Sequence, residues 1–198
     1  MMDAVDKGDS AQFSEEEILE PTDWVLMNFI MDARTGLGRF RDFKISNYQL
    51  MMKLIDACKD HSIEEILQME DVAERVSLYH EHNELAKAQI AKCATVHNNL
   101  VVLDLTEEET IYATNRFVIY AMYPDCNISI HKMWGLKKQN VVFAIGKSIT
   151  NRSSKTNVGE LCLKYGGGGH MNAGTCQVET SKAEAVLSEL IDSITNDG

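Results

Sequence analysis

Apolar residues in the first half of the chain recur three or four positions apart with polar residues between them, the period of an amphipathic helix. Val72, Val76, Tyr79, Ala86, Ile90 and Cys93 form the longest such series, and the spacing predicts a helix opening at Asp71 and running towards His97. Shorter series predict a helix behind Thr22, carrying Trp24, Val25, Leu26, Phe29 and Ile30, and another through Met51, Met52, Leu54, Ile55 and Cys58. Ser14 with Glu17, Ser46 with Gln49 and Ser62 with Glu65 read as capping boxes, in which the hydroxyl takes the N3 amide and the N3 side chain reaches back. Pro21 limits the first of these helices to a turn or two. Gly36 and Gly38, flanked by Arg34, Arg39 and Arg41, are the main break. Met27, Met31, Met51 and Met52 are read as core filling.

The second half changes period. Leu100–Asp104 is a short apolar run suited to a buried strand, and 127–134 and 140–147 are β-rich segments separated by Gly135. Thr156 or Asn157 can cap a helix holding Val158, Leu161 and Cys162 that stops at Gly166. A strand is expected over 175–179, then a capping box of Ser181 with Glu184 opening a terminal helix with Val186, Leu187, Leu190 and Ile194. Residues 108–123 read as a strand turn followed by helix. Strands alternating with helices place the protein in the α/β class, as an α/β module over 98–198 preceded by a helical segment over 1–97.

Composition adds limits. With 198 residues, 44% hydrophobic and 25% charged, the chain can bury a core, and no run approaches the ~20 apolar residues of a membrane helix. The first residues lack the basic and apolar regions of a signal peptide. Five cysteines without repeated spacing favour free thiols in a reducing compartment, so a cytoplasmic location is expected. The net charge of −11 argues against polyanionic partners until it is divided. Residues 1–99 hold 10 basic and 19 acidic side chains, whereas 130–170 hold seven basic residues against Glu160 alone, net +6. Screening over roughly 8–10 Å hides distant carboxylates, so that island is either an anion site or a solvated basic face.

The most specific feature is Tyr165-Gly166-Gly167-Gly168-Gly169-His170, followed by Ala173-Gly174. A helix C-cap requires one glycine, and each further one costs up to about 1 kcal/mol relative to Ala. A run of four implies close backbone approach, or amides converging on an anion, with His170 as a hydrogen-bond donor; a flexible loop is the bland alternative. Gly146-Lys147-Ser148 is no P-loop, because Val141 stands where the first glycine belongs, and Met171 and Arg41 break the two dinucleotide-binding templates. The segment from Gly146 to Ser153 nevertheless sets Ser148, Lys147 and Arg152 near one strand end, where α/β sheets hold ligands. His80, His82, Cys93 and His97 could suggest zinc, but an exposed helical face explains them more simply. Tyr165 is the nearest candidate for base stacking.

Gly146-Lys147-Ser148-x-x-Asn151-Arg152-Ser153, then a helix, then Tyr165-Gly-Gly-Gly-Gly-His170-x-x-Ala173-Gly174, resembles the DHH-associated C-terminal domain of the DHH-family phosphoesterases, a group with RecJ-like and exopolyphosphatase-related members. The resemblance implies a mixed sheet flanked by helices. It also implies substrate-phosphate contacts from Gly166, Gly167, Gly168, Gly169, His170, Arg152 and Ser148. The family's chemistry uses two metal ions, typically manganese, held by Asp-x-Asp, Asp-His-His and further Asp residues of an N-terminal catalytic domain. Those motifs do not occur in this sequence; Asp60-His61-Ser62 is a near miss. The opening 5–12 is similar to the segment of the final metal-ligand Asp, with Asp9 the better match than Asp6, so the resemblance implies linker helices plus substrate domain and a catalytically inactive chain. The implied ligand is a short oligonucleotide, a nucleotide or polyphosphate, with RNA, DNA and cyclic dinucleotides all open. A stand-alone nucleic-acid or nucleotide-binding module and a purely structural or dimerising domain are the competing readings, and a homodimer is compatible with each.

Overall fold

The computed structural model describes residues 2–40 and 43–198; Arg41 lies outside the described residues. The chain packs as two compact units, one running through Gln89 and including Tyr112–Val118, the other formed by Ile90–Ile111 and Ile119–Gly198. The helices are α1 (Met2–Ser10), α2 (Glu15–Leu19), α3 (Asp23–Met31), α4 (Asn47–Asp60), α5 (Ile63–Leu67) and α6 (Glu70–Cys93). Strands β1 (Ala94–His97) and β2 (Leu100–Asp104) follow, then α7 (Val118–Met122), β3 (Ile128–Trp134), β4 (Val141–Lys147), α8 (Val158–Leu163), β5 (Gly168–His170), β6 (Ala173–Val178) and α9 (Ala183–Asp197). The α/β class holds.

In the first unit the capping boxes at Ser14, Ser46 and Ser62 all form. Thr22 stands at the N-cap of α3 without a side-chain cap; its hydroxyl meets Asp23 instead. The core joins Phe13, Phe29 and Phe117 in edge and tilted ring contacts. Asn115 ties residues 112–118 to this core by donating to the Ile18 carbonyl and the Tyr79 hydroxyl, both at 2.9 Å. Buried Arg75 lies over the Phe43 ring and donates to the Ile45 carbonyl and Asn47 Oδ1, fixing the entry to α4. Met51 and Met52 are not core: α4 buries Leu50, Leu54 and Ala57, and both methionines face solvent.

The long helix ends at Cys93 rather than near His97, because Ala94–His97 pair antiparallel with Leu100–Leu103 through a turn with Asn98 left-handed. A non-local ladder thus outweighs the helical period. Among the described residues the sheet has six strands in the order β1-β2-β3-β4-β6-β5, with β2 and β3 parallel and the other neighbours antiparallel. One face, with Leu100, Val102, Ile128, Ile130, Val141, Phe143 and Ile145, packs against Val158, Leu161 and Cys162 of α8 and Val186, Leu190 and Ile194 of α9. On the other face Tyr120 of α7 bonds the Ser129 hydroxyl at 2.8 Å and the Gly146 carbonyl at 2.7 Å.

The Ser181–Glu184 capping box does not form. A 3-10 turn over Thr180–Lys182 leads into α9 without a side-chain cap, and the Glu184 carboxylate instead accepts from Lys132 Nζ at 2.6 Å. Lys132 is buried on β3 and also meets Asp104 at 2.8 Å. Burial opposes its charge, but the two carboxylates outweigh that cost and raise its pKa. Residues 108–117 form no strand, and the expected helix is the short α7.

His82 is buried on α6 with Phe40 and Tyr112 edge-on to its ring, and its Nδ1 accepts the Ala113 amide at 3.0 Å. Burial lowers its pKa below the usual 6.5, so the folded protein holds it neutral while the unfolded chain protonates first. Its contribution to stability is complete above pH 6.5 and is lost as pH falls through the lowered folded value. His82→Asn, which offers an amide oxygen in place of Nδ1, is expected to flatten the fall in Tm as pH drops below about 6.5. Thermal melts of both proteins across that range provide the check; an unchanged slope counts against the assignment.

Candidate functional site

β4 ends at Lys147, and the chain then turns through a loop fixed by its own side chains. Ser148 is buried: its amide donates to the Asn127 carbonyl at 2.8 Å, and its Oγ accepts the amides of Thr150 at 3.2 Å and Asn151 at 3.0 Å. Asn127 Nδ2 donates to Ser153 Oγ at 2.9 Å, and Ser153 Oγ donates to Asn151 Oδ1 at 2.7 Å. Ser148 therefore shapes the loop, and the side chain the loop presents is Arg152, exposed, with Nε donating to the Ile149 carbonyl at 3.0 Å.

The second component is the glycine run, which is a strand rather than an open loop. After α8, Gly166 takes φ +75° and donates to the Leu163 carbonyl, as a left-handed residue closing a helix does. Gly168–His170 then form β5 at the sheet edge, paired with β6 in the register Gly168↔Thr175, Gly169↔Gly174, His170↔Ala173. Two of the four glycines answer to close packing. A Cβ on Gly167 would lie 2.1 Å from the Thr175 carbonyl oxygen, and one on Gly169 would lie 2.3 Å from that of Ala173. A Cβ on Gly159 of α8 would lie 3.0 Å from the Gly169 backbone, and one on Gly174 would lie 3.0 Å from Cys162 Sγ.

Gly168 has no such reason. Its φ is not left-handed, it is exposed, and a Cβ there would meet nothing within 4 Å. Beside it, exposed His170 accepts the Asn172 amide on Nδ1 at 3.2 Å, which in the neutral ring places the proton on Nε2. The Lys147 amide donates to the Asn172 carbonyl at 2.9 Å, so the loop bearing Arg152 and the turn after His170 spring from one end of the sheet. Ser148, Arg152, Gly166–Gly169 and His170 thus belong to two neighbouring elements, one presenting a guanidinium, the other an imidazole N–H and bare backbone.

Other candidates have structural roles. Tyr165 packs against the sheet core and donates to Glu189 at 2.9 Å; burial and that carboxylate push its pKa up to about 12. Cys162 and Cys176 are both buried, and Cys176 keeps its proton towards Cys162, which together with burial pushes its pKa up and leaves it a poor nucleophile. Lys132 of the basic island is neutralised by Asp104 and Glu184, which lie outside the 130–170 window and are invisible to a local charge count.

Asp9 is exposed on α1 and borders a cleft of about 420 Å³ in the first unit, together with Asn28, Asp32, Arg34 and Arg116. The sequence pattern marks Arg34 only as a flank of the glycine break and gives no sign of Asp32. Among the described residues no three His, Cys, Asp or Glu side chains converge as metal ligands, so the donor set here does not fit a two-manganese centre. Nor is any helix among them long and apolar enough to cross a membrane.

Comparison with solved structures gives three likenesses. The chain is similar to a pGpG-specific phosphodiesterase, PggH, from Vibrio cholerae, with 65% identity over 100% of this chain and 66% of that one, and a TM-score of 0.92. It shares its fold with the DHH domain of a protein described as a member of a ribosomal-protein family, at 14% identity over 96% of this chain and 48% of that one, TM-score 0.51. An exopolyphosphatase-related protein from Bacteroides fragilis matches at 15% identity over 96% of this chain and 53% of that one, TM-score 0.47. The chain thus spans 66% of the phosphodiesterase's length and about half of the other two. No family model and no curated protein matches it.

The two kinds of glycine predict opposite results. Gly167→Ala forces its Cβ against a carbonyl and is expected to cost about 1–3 kcal/mol of stability. Gly168→Ala meets open space and should leave Tm unchanged or slightly raised, because alanine loses less entropy on folding. Denaturation of the two variants beside the parent measures both, and equal losses would contradict the distinction.

Proposed function

The chain belongs to the DHH family of phosphoesterases, and on that premise we propose that its second unit is a DHH-associated domain that grips a terminal or internal phosphate of a short linear nucleotide. The observation that carries the reading is Gly168: a glycine kept at an exposed position where neither backbone angle nor packing requires it. The advantage of omitting a side chain there is access, since a phosphate can approach the backbone of an edge strand directly. Arg152 supplies a planar donor fork suited to two phosphate oxygens. His170 supplies Nε2–H, held in that tautomer by the Asn172 amide. Ser148 acts through the loop it fixes, and Gly166, Gly167 and Gly169 act by letting the strand form.

The substrate class follows from the 65% identical relative, named as pGpG-specific. We extend that preference to this chain, making a 5′-phosphorylated diguanylate the favoured ligand over polyphosphate. In a whole enzyme such a grip would hold one phosphate so that its neighbour reaches the metal-bearing site, which is catalysis by positioning. Asp9 alone cannot make a two-metal site, so this chain should bind without hydrolysing, and a cytoplasmic setting suits its free thiols.

Calorimetric titration of the chain with pGpG, GMP and polyphosphate tests the reading. Tightest binding to pGpG is expected, weakened at least about tenfold by Arg152→Ala, by His170→Ala and by Gly168→Ala, each with Tm retained. Unchanged affinity in these variants would remove the assigned roles. Manganese-dependent release of GMP by this chain would overturn the proposed inactivity.

A further inference from the structure

The exposed side of α4 carries an apolar stripe that none of the described residues of the first unit covers. Tyr48, Met51, Met52 and Ile55 are 68%, 43%, 47% and 52% exposed, at the i, i+3, i+4, i+7 spacing of one helix face, while Leu50, Leu54 and Ala57 fill the buried face. At roughly 200 Å² for a fully exposed large side chain, these four leave roughly 400 Å² of apolar surface. That is the scale of the largest patch on a typical monomer, and such patches are often functional.

We propose that this face is a homodimer interface, occupied by α4 of a second copy running antiparallel about a two-fold axis. The spacing of the stripe is its own mirror. An axis passing between Met51 and Met52 sets Tyr48 opposite Ile55 and Met51 opposite Met52, so one patch meets itself as an isologous contact demands. The size also fits. If about 60% of an interface is apolar, roughly 400 Å² implies a face of roughly 650 Å² per chain, within the range of specific dimers though at its lower end.

Charge permits the same pairing. The chain carries a net −11, which would drive two copies apart, yet the border of this face is balanced. Lys44 pairs with Glu70, Lys53 with Asp71 and Lys59 with Asp56. Lys53 and Lys59, the two lysines of α4, thus each hold a carboxylate of their own chain and bring no bare ammonium group to the pairing. Polar borders around a central apolar stripe are the usual anatomy of an interface.

Sedimentation equilibrium of the chain at increasing concentration tests the proposal. A monomer–dimer equilibrium in the micromolar range is expected. Met51→Glu and Met52→Lys should each raise the dissociation constant at least about tenfold, with the Tm of the monomer retained, and Leu136→Glu, at a still more exposed apolar position of the other unit, should not. Mixing the Met51→Glu and Met52→Lys chains should restore association, because the two-fold places those positions side by side. A chain that stays monomeric throughout, variants that still dimerise, or a mixture that fails to associate would each overturn the proposed interface.

Discussion

Gly159 lets α8 approach the main chain of Gly169 and His170, and Gly167, Gly169 and Gly174 let the two sides of the β5–β6 hairpin close on one another where a Cβ would clash. The hairpin turn, His170–Asn172, is consequently held at the end of β4, where the Lys147 amide bonds the Asn172 carbonyl. The Val158 amide adds a second tie, to the Met171 carbonyl at 3.3 Å. A side chain at any of the closest contacts would push the edge strand outward and move His170 with it. The site is thus positioned by what its backbone lacks.

Local rules were legible in the sequence wherever the interaction itself is local. Ser14, Ser46 and Ser62 cap helices through partners three residues away, and all three boxes form. Leu100–Asp104 read as a buried strand because it is apolar on both faces, and it lies inside the sheet. Distant partners defeated the same rules. Glu184 had the spacing of a cap but found Lys132, 52 residues away. Ala94–His97 continued a helical period but found β2. Met51 and Met52 matched a core pattern, yet a hydrophobic stripe does not declare which side of a helix the fold will cover.

The candidate site was legible as residues and not as shape. The glycine run and His170 stood out by composition, but their conformation depends on pairing with β6, which spacing does not reveal. Ser148 looked like a ligand group because its hydroxyl follows a strand end; its Oγ is occupied by two amides of its own loop. The glycines divide by function only once coordinates show what each Cβ would touch. Three serve the fold, and Gly168 is left over.

β5 also has a bearing on how the protein keeps apart from other chains. An edge strand offers unpaired amides and carbonyls to any extended peptide that comes alongside, which is how sheets grow between molecules. This edge is three residues long, two of them glycine, and ends in His170. It is too short for a lasting ladder and has no apolar side chains to form a dry zipper against a neighbouring sheet. The bareness that opens the backbone to a small anion therefore also denies a foreign strand the length and the hydrophobic surface it would need to stay.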